Sequence, residues 1–407
     1  MKNIFLTGST GFLGGELMKR LLIQQPESHF YLLIRNRGKK TASERCSALV
    51  RQWANEWSTG YEHISNRIHL VEGDLMSPLL GLSSQYFHEL SCKIDVIFHL
   101  AASIDLLGKY NKLYRTNVEG TRKLLEFATL SYQNNGLTHF HYVSTAYVSG
   151  NTKGTVYENK LDKGQTFSND YERVKMEAEC AVQDAKNNLP ITVYRPSIVV
   201  GDSRTGYAPD DCATLDFIKL VLTGHFPIIP SGKKFKLDII PVNYVADAIA
   251  CLSTMPKETI GQTYHLTAGK NHCISSMEIM KIAKAVIEEK QISNGNQGEL
   301  KLPIQMNPFI TLGLAWIYSK FKTSTPAKLV QIWITYSKYN WYCRSFNDTG
   351  ATRLLEINGI YKPSIPSALK VMMQRNLTLE NLHNWQSSTD LALIPSEGFN
   401  PHPIISA

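Results

Sequence analysis

Over its first two hundred residues the chain alternates two patterns. Short runs rich in Ile, Val, Leu, Phe and Tyr fall at residues 3–7, 29–34, 67–71, 95–100, 139–144 and 191–194. None alternates strictly between apolar and polar, which is how a strand reads when helices cover both of its faces. Between the runs, apolar positions recur at helical spacing over residues 11–24, 43–57, 83–90, 117–132 and 170–186. Strand followed by helix, repeated in this way, predicts an α/β fold built on a doubly wound parallel sheet.

Past Pro196 the alternation loosens, and Pro, Gly and aromatic residues become frequent through Gly232. Regularity returns at Ser275-Ser276-Met277-Glu278, a capping box that opens a helix. Ile279, Ile282, Ala283, Val286 and Ile287 then recur at helical spacing. Residues 291–300 are polar and read as a linker or loop, and residues 303–373 form a second apolar block rich in Trp and Tyr. The expected organisation is a parallel-sheet domain over residues 1–200, with sheet contributions to about residue 270. A smaller, α-rich region follows over 201–376, ending in a helical block, and 377–407 form a loosely ordered tail.

Composition narrows the classes. With 407 residues, 43% hydrophobic and 19% charged, the chain has material for a large core and is neither disordered nor fibrous. The net charge of +8 comes without a dense Lys/Arg block. That suits acidic, phosphorylated small molecules and argues against nucleic acid as a partner. Seven cysteines, odd in number and without a CxxC pair, make neither a disulfide framework nor a zinc site. No metal is expected, and the setting is expected to be reducing and cytoplasmic. The apolar stretch 309–318 is about half the ~20 residues that a spanning helix needs. The first residues read directly as a strand, so neither a signal peptide nor a transmembrane segment is expected.

The first strand runs into Thr7-Gly8-Ser9-Thr10-Gly11-Phe12-Leu13-Gly14 and then an amphipathic helix. In such a loop Gly8 allows the tight turn, Gly11 lets a pyrophosphate approach the backbone, and Gly14 permits close helix–strand packing. The free N–H groups at the helix start face the phosphates. The spacing is GxxGxxG rather than GxGxxG, yet the strand before and helix after make a Rossmann-type dinucleotide loop the expected reading. At the end of the second strand stand Arg35, Asn36 and Arg37, with Lys39 and Lys40 behind them. A carboxylate there would select NAD; arginine suits the 2′-phosphate of NADP, so NADPH is the expected cofactor. Asp74 and Leu75 after the third strand, and Ala101 and Ala102 after the fourth, are expected to wall the same cleft.

Tyr171 and Lys175 stand four residues apart and so share one helix face. An ammonium this close favours phenolate and is expected to lower the tyrosine from its usual pKa of about 10. Tyr171 then serves as the acid that protonates an alkoxide, and Lys175 both tunes it and holds the nicotinamide ribose. The end of the fifth strand supplies a hydroxyl at Thr145, with Ser144 as the alternative, since the pleat points neighbours in opposite directions. A second YxxxK, from Tyr318 to Lys322, has no comparable strand or hydroxyl upstream and reads as chance.

Together these residues resemble the extended short-chain dehydrogenase/reductase family: the TGxxGxxG start, a Ser/Thr after strand five, YxxxK, and Arg195-Pro196-Ser197-Ile198-Val199-Val200-Gly201. Pro241-Val242-Asn243-Tyr244-Val245-Ala246-Asp247 resembles that family's start of a substrate-domain helix, and the likeness covers about residues 1–290. Within the family, Gly8 to Gly14, Leu33-Ile34-Arg35, His141 to Val148 and Leu266-Thr267-Ala268-Gly269 look most like the thioester and fatty acyl-CoA reductases, the male-sterility-protein-like branch. The resemblance implies catalysis by Thr145, Tyr171 and Lys175. It also implies that Asn117 helps to position the site, and that Ser144, Pro196 and Ile198 join the cofactor-binding residues. The implied reaction is NADPH-dependent reduction of an acyl thioester, on CoA or an acyl carrier protein, to an aldehyde or alcohol. The region after residue 200 then binds substrate. Its Trp/Tyr-rich stretch 303–342 reads as an acyl channel, a peripheral membrane contact or ordinary core. A nucleotide-sugar epimerase or dehydratase on the same scaffold would favour an acid near position 35. A non-catalytic dinucleotide sensor would not need Thr145, Tyr171 and Lys175 together.

Overall fold

The structure is a computed structural model that describes residues 1–57, 60–106, 108–210, 212–223, 228–230, 236–293, 302–307, 310 and 344–378. Its sheet is built outward from the chain's first strand. β1 (Asn3–Thr7) lies between β2 (His29–Ile34) and β4 (Val96–His99), and β3 (Ile68–Glu72) pairs on the far side of β2. On the other flank β5 (His139–Val143) pairs with β4, and β7 (Ile191–Pro196) with β5. A seventh strand, β11 (Thr263–Leu266), closes that edge against β7. The order is β11-β7-β5-β4-β1-β2-β3, with every pairing parallel. The expected doubly wound sheet is therefore present, and its six expected strands lie within two residues of the apolar runs. The direction of winding reverses between β1 and β4, where a crevice opens at the strands' carboxyl ends.

The unalternating runs have a direct cause. Along β1, Ile4 and Leu6 enter one buried cluster with Leu17, Leu21, Phe30 and Phe98. Phe5 enters another with Val71, Ile97, Phe127 and Phe140. Both pleat faces are buried because helices lie on each side. These are α1 (Phe12–Gln24), α2 (Ala42–Trp57), α3 (Tyr61–Ser65), α4 (Ser84–Ser91), α5 (Tyr110–Tyr114), α6 (Gly120–Asn135) and α7 (Asp170–Ala185). The helix expected at 117–132 begins earlier: α5 joins α6 through a π-helical turn, Arg115–Glu119. That turn breaks the 3.6-residue period, so a periodicity reading cannot cross it.

Three parallel strand pairs stand outside the main sheet. β6 (Gly154–Val156) pairs with β13 (Arg344–Phe346), β8 (Ile198–Val200) with β10 (Ile239–Pro241), and β9 (Ile228–Pro230) with β12 (Ile304–Met306). With them are α8 (Ala213–Leu222), α9 (Val242–Leu252), α10 (Pro256–Thr259), α11 (Ser276–Ser293), α12 (Thr349–Ile357) and α13 (Ile365–Asn376). The capping box at α11 forms: Ser275 N–H donates to Glu278 Oε2 at 2.8 Å, and Glu278 N–H to Ser275 Oγ at 3.2 Å. α9 joins α1 through Arg20 Nε and Asp247 Oδ1 at 2.8 Å, so the second region shares its core with the first. α13 reaches the loop after β8, where Arg375 Nη1 donates to Thr205 O at 3.1 Å and Asn376 Nδ2 to Gly206 O at 2.8 Å. The adjoining Tyr207 ring lies edge-on to Phe12, 6.0 Å between centroids.

Leu377, assigned to the loose tail by sequence, is instead fully buried, and Lys290 Nζ donates to its carbonyl at 2.8 Å. Leu377 is apolar, and it continues the buried stripe of α13. The rest of the expected tail from residue 379, most of the Trp/Tyr-rich block and the second YxxxK lie outside the described residues. Among the described residues no helix is long and apolar enough to cross a membrane.

Phe127 lies 5.1 Å, centroid to centroid, from both Phe5 and Phe87 and is fully buried. Phe127→Ala is expected to destabilise the chain by about 3–5 kcal/mol, measured as a lowered urea midpoint with unchanged slope.

Candidate active site

Strand register brings the site's loops to one level. Thr7 pairs with His99, His99 with Tyr142, and Val143 with Tyr194, so these four strands end together. At Gly8 the backbone turns through φ +81°, and a Cβ there would lie 2.6 Å from the Ala101 nitrogen. A Cβ on Gly14 would lie 2.0 Å from the Gly8 carbonyl oxygen. These two glycines press the loop against β4 and α1 respectively. Gly11 donates its N–H to Gly8 O at 3.0 Å and is exposed at the start of α1. That helix has no side-chain cap and no acid in its first turn, so its positive end faces the cleft. Ser9 is 1% exposed, and its Oγ has no hydrogen-bond partner among the described residues. Phe12 and Leu13 are half-buried at the loop's base.

A basic rim borders this loop. Arg35 and Arg37 are exposed beyond β2, and Arg35 Nη1 is 3.4 Å from Asp74 Oδ2. Arg45, which sequence reading missed, completes the rim: Nη1 donates to Arg35 O at 2.5 Å and Nη2 to Thr10 Oγ1 at 2.8 Å. Burial and then the Arg37 and Arg35 charges lower the Arg45 pKa. Its signal was present in the sequence: a cation near the start of α2, where the helix dipole favours an acid. An unpartnered buried hydroxyl, an uncapped helix start and three guanidiniums make a donor set that fits a phosphorylated dinucleotide.

The other expected cleft residues divide between contact and support. Asp74 Oδ1 accepts from Met76 N–H at 2.9 Å, while Leu75 packs its side chain into the core beneath Gly120. Ala101 and Ala102 are half-buried, and Ala101 N–H donates to Thr7 Oγ1 at 3.2 Å. Asn117 grips the next residue of that loop: Oδ1 accepts from Ser103 N–H at 2.7 Å, and Nδ2 donates to Ser103 O at 3.0 Å. Pro196 is buried and Ile198 half-buried beyond β7.

The two candidate hydroxyls face different partners. Ser144 Oγ donates to Glu179 Oε2 at 2.5 Å. Thr145 faces Tyr171, and its Oγ1 lies 3.4 Å from Pro196 O. Ser144 is thereby held by a buried ion pair, in which Arg195 Nη2 and Glu179 Oε1 are 2.6 Å apart with exposures of 1% and 0%. Burial raises the Glu179 carboxyl, but Arg195 with the bonds from Ser144 and Gln183 more than reverses this, leaving its pKa below the usual range. Arg195 Nη1 also donates to the carbonyls of Glu158 at 3.1 Å and Lys160 at 3.3 Å.

Lys175 does not act on Tyr171 as the four-residue spacing suggested. Its Nζ donates to Tyr142 Oη at 3.1 Å and Val143 O at 3.0 Å. Tyr171 accordingly moves the other way: burial and the Glu172 charge raise its pKa, against the Thr145 hydroxyl. Burial lowers Lys175 to about 8, with Glu179 opposing. The physical reason is that α7 lies on the sheet, where strand β5 offers the ammonium nearer acceptors.

A family profile described as Male sterility protein, an NAD-binding domain, matches residues 6–249. The chain belongs to that family. Relatives of this male sterility protein family member include nonribosomal peptide synthetase asaC of Aspergillus flavus, 30% identical over 275 residues, 65% of this chain and 26% of that protein. Glycine betaine reductase ATRR of Emericella nidulans is 30% identical over 260 residues, 62% of this chain and 20% of that protein. The chain thus spans about a quarter of the first relative's length and a fifth of the second's. The crystal structure of the terminal R domain from the myxalamid PKS-NRPS pathway matches with a TM-score of 0.74 and 27% identity. That match covers 92% of this chain and 90% of that one. Family and fold give the chain an NAD(P)-binding domain.

Removing one member of the buried pair isolates its role in this male sterility protein fold. Arg195→Met is expected to destabilise the chain by about 3–5 kcal/mol at neutral pH. Because the Glu179 pKa is lowered on folding, the stability it supplies is present above the ordinary carboxylate range and lost as pH falls through the folded value. Denaturant melts at neutral and acid pH should show the mutant's deficit shrink in acid.

Proposed function

We propose that the chain reduces an acyl thioester, held on CoA or an acyl carrier protein, to an aldehyde or alcohol with NADPH. The observation that carries this reading is that the Thr145 side chain faces Tyr171 at the edge where the glycine loop also emerges. Likeness to a terminal R domain and to a nonribosomal peptide synthetase supports a carrier-bound thioester as substrate. The Arg35, Arg37 and Arg45 rim supports NADPH over NADH, because a 2′-phosphate relieves the mutual repulsion of its cations.

In this reading Gly8, Gly11 and the start of α1 receive the pyrophosphate, with Ser9, Thr10 and the loop backbone completing the cradle. Asp74, Ala101 and Ala102 border the adenosine side, and Asn117 keeps their loop in place. Pro196 and Ile198 back the nicotinamide, and Lys175 holds its ribose. Bound NADPH supplies the hydride. Thr145 and Tyr171 donate to the thioester carbonyl oxygen and stabilise the charge that grows there. The raised pKa keeps Tyr171 a phenol at neutral pH, so it acts as an acid and gives its proton to that oxygen. Loss of the thiol leaves an aldehyde, and a second reduction gives the alcohol. The six cysteines among the described residues are free, which accords with a reducing, cytoplasmic setting.

NADPH oxidation with acyl-CoA and acyl-carrier thioesters of several lengths tests this directly. Tyr171→Phe is expected to lower kcat about 10²–10⁴-fold, and Thr145→Ala about 10²–10³-fold. A wild-type rate no higher than that of Tyr171→Phe on every thioester would exclude the reaction. Arg45→Ala is expected to weaken NADPH binding about tenfold while leaving NADH unchanged. Fluorescence titration of the reduced cofactors reads that difference, and equal losses for both would contradict the 2′-phosphate assignment.

A further inference from the structure

Beneath the glycine loop, Thr7, His99, Thr121 and Tyr142 lie buried near Lys175, and the proposed chemistry leaves these four without a role. Thr7, His99, Thr121, Tyr142 and Lys175 are all 3% exposed or less, so water does not complete their bonds. Thr7 Oγ1 is 2.8 Å from His99 Nδ1, and His99 Nε2 is 3.0 Å from Thr121 Oγ1. Thr121 Oγ1 donates to Asn117 O at 2.6 Å, and its side chain adjoins Tyr142. Tyr142 Oη accepts from Lys175 Nζ at 3.1 Å.

Counting hydrogens fixes the direction of every bond. Thr121 has one proton, which goes to the Asn117 carbonyl, so its oxygen accepts from His99. His99 therefore carries its hydrogen on Nε2, and Nδ1 accepts from Thr7. The Thr7 oxygen is in turn free to accept from Ala101 N–H, at 3.2 Å. Burial, and then the Lys175 charge, hold the His99 pKa at about 3, so the ring stays neutral. Tyr142 Oη presents a lone pair to the ammonium. Lys175 commits a second N–H to Val143 O at 3.0 Å, and the third is left for a ligand.

We propose that Tyr142 is a positioning residue for Lys175, holding that ammonium beside the strand ends that bear the cofactor loop. The proposal rests on the reading that Lys175 serves the dinucleotide, but not on the identity of the substrate. A phenylalanine at 142 would keep the ring, whose centroid is 4.7 Å from Lys175 Nζ, and would lose only the acceptor oxygen. If packing were the whole role, that change would leave Lys175 as it is. As an acceptor, Tyr142 stabilises the charged amine, and its loss makes the ammonium give up its proton at lower pH. Tyr194 provides a matched comparison: it is equally buried, and its hydroxyl lies 3.0 Å from His141 Nδ1, away from this network.

The test is cofactor affinity against pH, read by fluorescence titration of NADPH and of NADH without substrate. Wild-type affinity is expected to fall above a limb at about 8, set by Lys175. Tyr142→Phe should move the limb about one pH unit lower, weakening binding up to tenfold above it and less than twofold at pH 6. Tyr194→Phe should leave the limb in place. Tyr142→Leu, which also lacks the oxygen, should shift it as Tyr142→Phe does and carries the test if Tyr142→Phe does not fold. An unmoved limb in Tyr142→Phe, or an equal shift in Tyr194→Phe, overturns the proposal. A wild type that binds neither dinucleotide overturns it together with the cofactor reading. Binding with the expected limbs but without thioester turnover removes the substrate assignment alone.

Discussion

The site depends first on the ion pair between Glu179 and Arg195. Two charges withdrawn from water are costly unless nearly every lone pair and hydrogen is matched, and here the matching draws four segments together. Glu179 sits on α7 and Arg195 on β7; Ser144 belongs to the end of β5, and the Glu158 and Lys160 carbonyls to the chain that leads into α7. Tyr171, Lys175 and Glu179 recur every four residues, so they form one stripe along α7. Anchoring the third member against β7 sets the height and rotation of the other two. The pair also holds the Ser144 hydroxyl, which in the proposed reaction leaves Thr145 to face the carbonyl.

A second constraint is backbone proximity at the crevice. Between Gly8 and Ala101 there is no room for a side chain, and the Thr7 hydroxyl bonds the same Ala101 nitrogen. One residue pair farther along, Asn117 clamps Ser103 from both sides of its peptide unit. The loops after β1 and β4 therefore behave as one surface. The cations that border it come from a third and fourth segment, after β2 and within α2, joined by the Arg45 bond to the Arg35 carbonyl. Charge and shape are supplied by different parts of the chain.

The local part of this arrangement was legible in the sequence. Strands buried on both faces announce themselves as apolar runs, the glycines announce a turn with no space, and Ser275 with Glu278 announces a helix start. The sequence was silent where the deciding partner was distant along the chain. The Ser144 hydroxyl meets Glu179, thirty-five residues away. Lys175 finds Tyr142, thirty-three residues back, in preference to the neighbour that spacing suggests. The strand β11 is only four residues, includes a Thr and a His, and gains its place through pairing with β7. Arg45 was legible only as a misfit to its helix dipole, a clue that means something once the glycine loop is beside it.

The contact of Tyr207 with Phe12 links the two extremes of the described chain. Phe12 opens the helix whose first turn faces the cleft, while Tyr207 also lies 5.7 Å beneath the guanidinium of Arg375 on α13. Whatever stiffens Phe12 therefore also raises the free energy needed to peel α13 away, and by reciprocity an undocked α13 loosens the grip on any occupant of the crevice. Loss of the Tyr207 ring would therefore free Phe12 and the Arg375 end of α13 together.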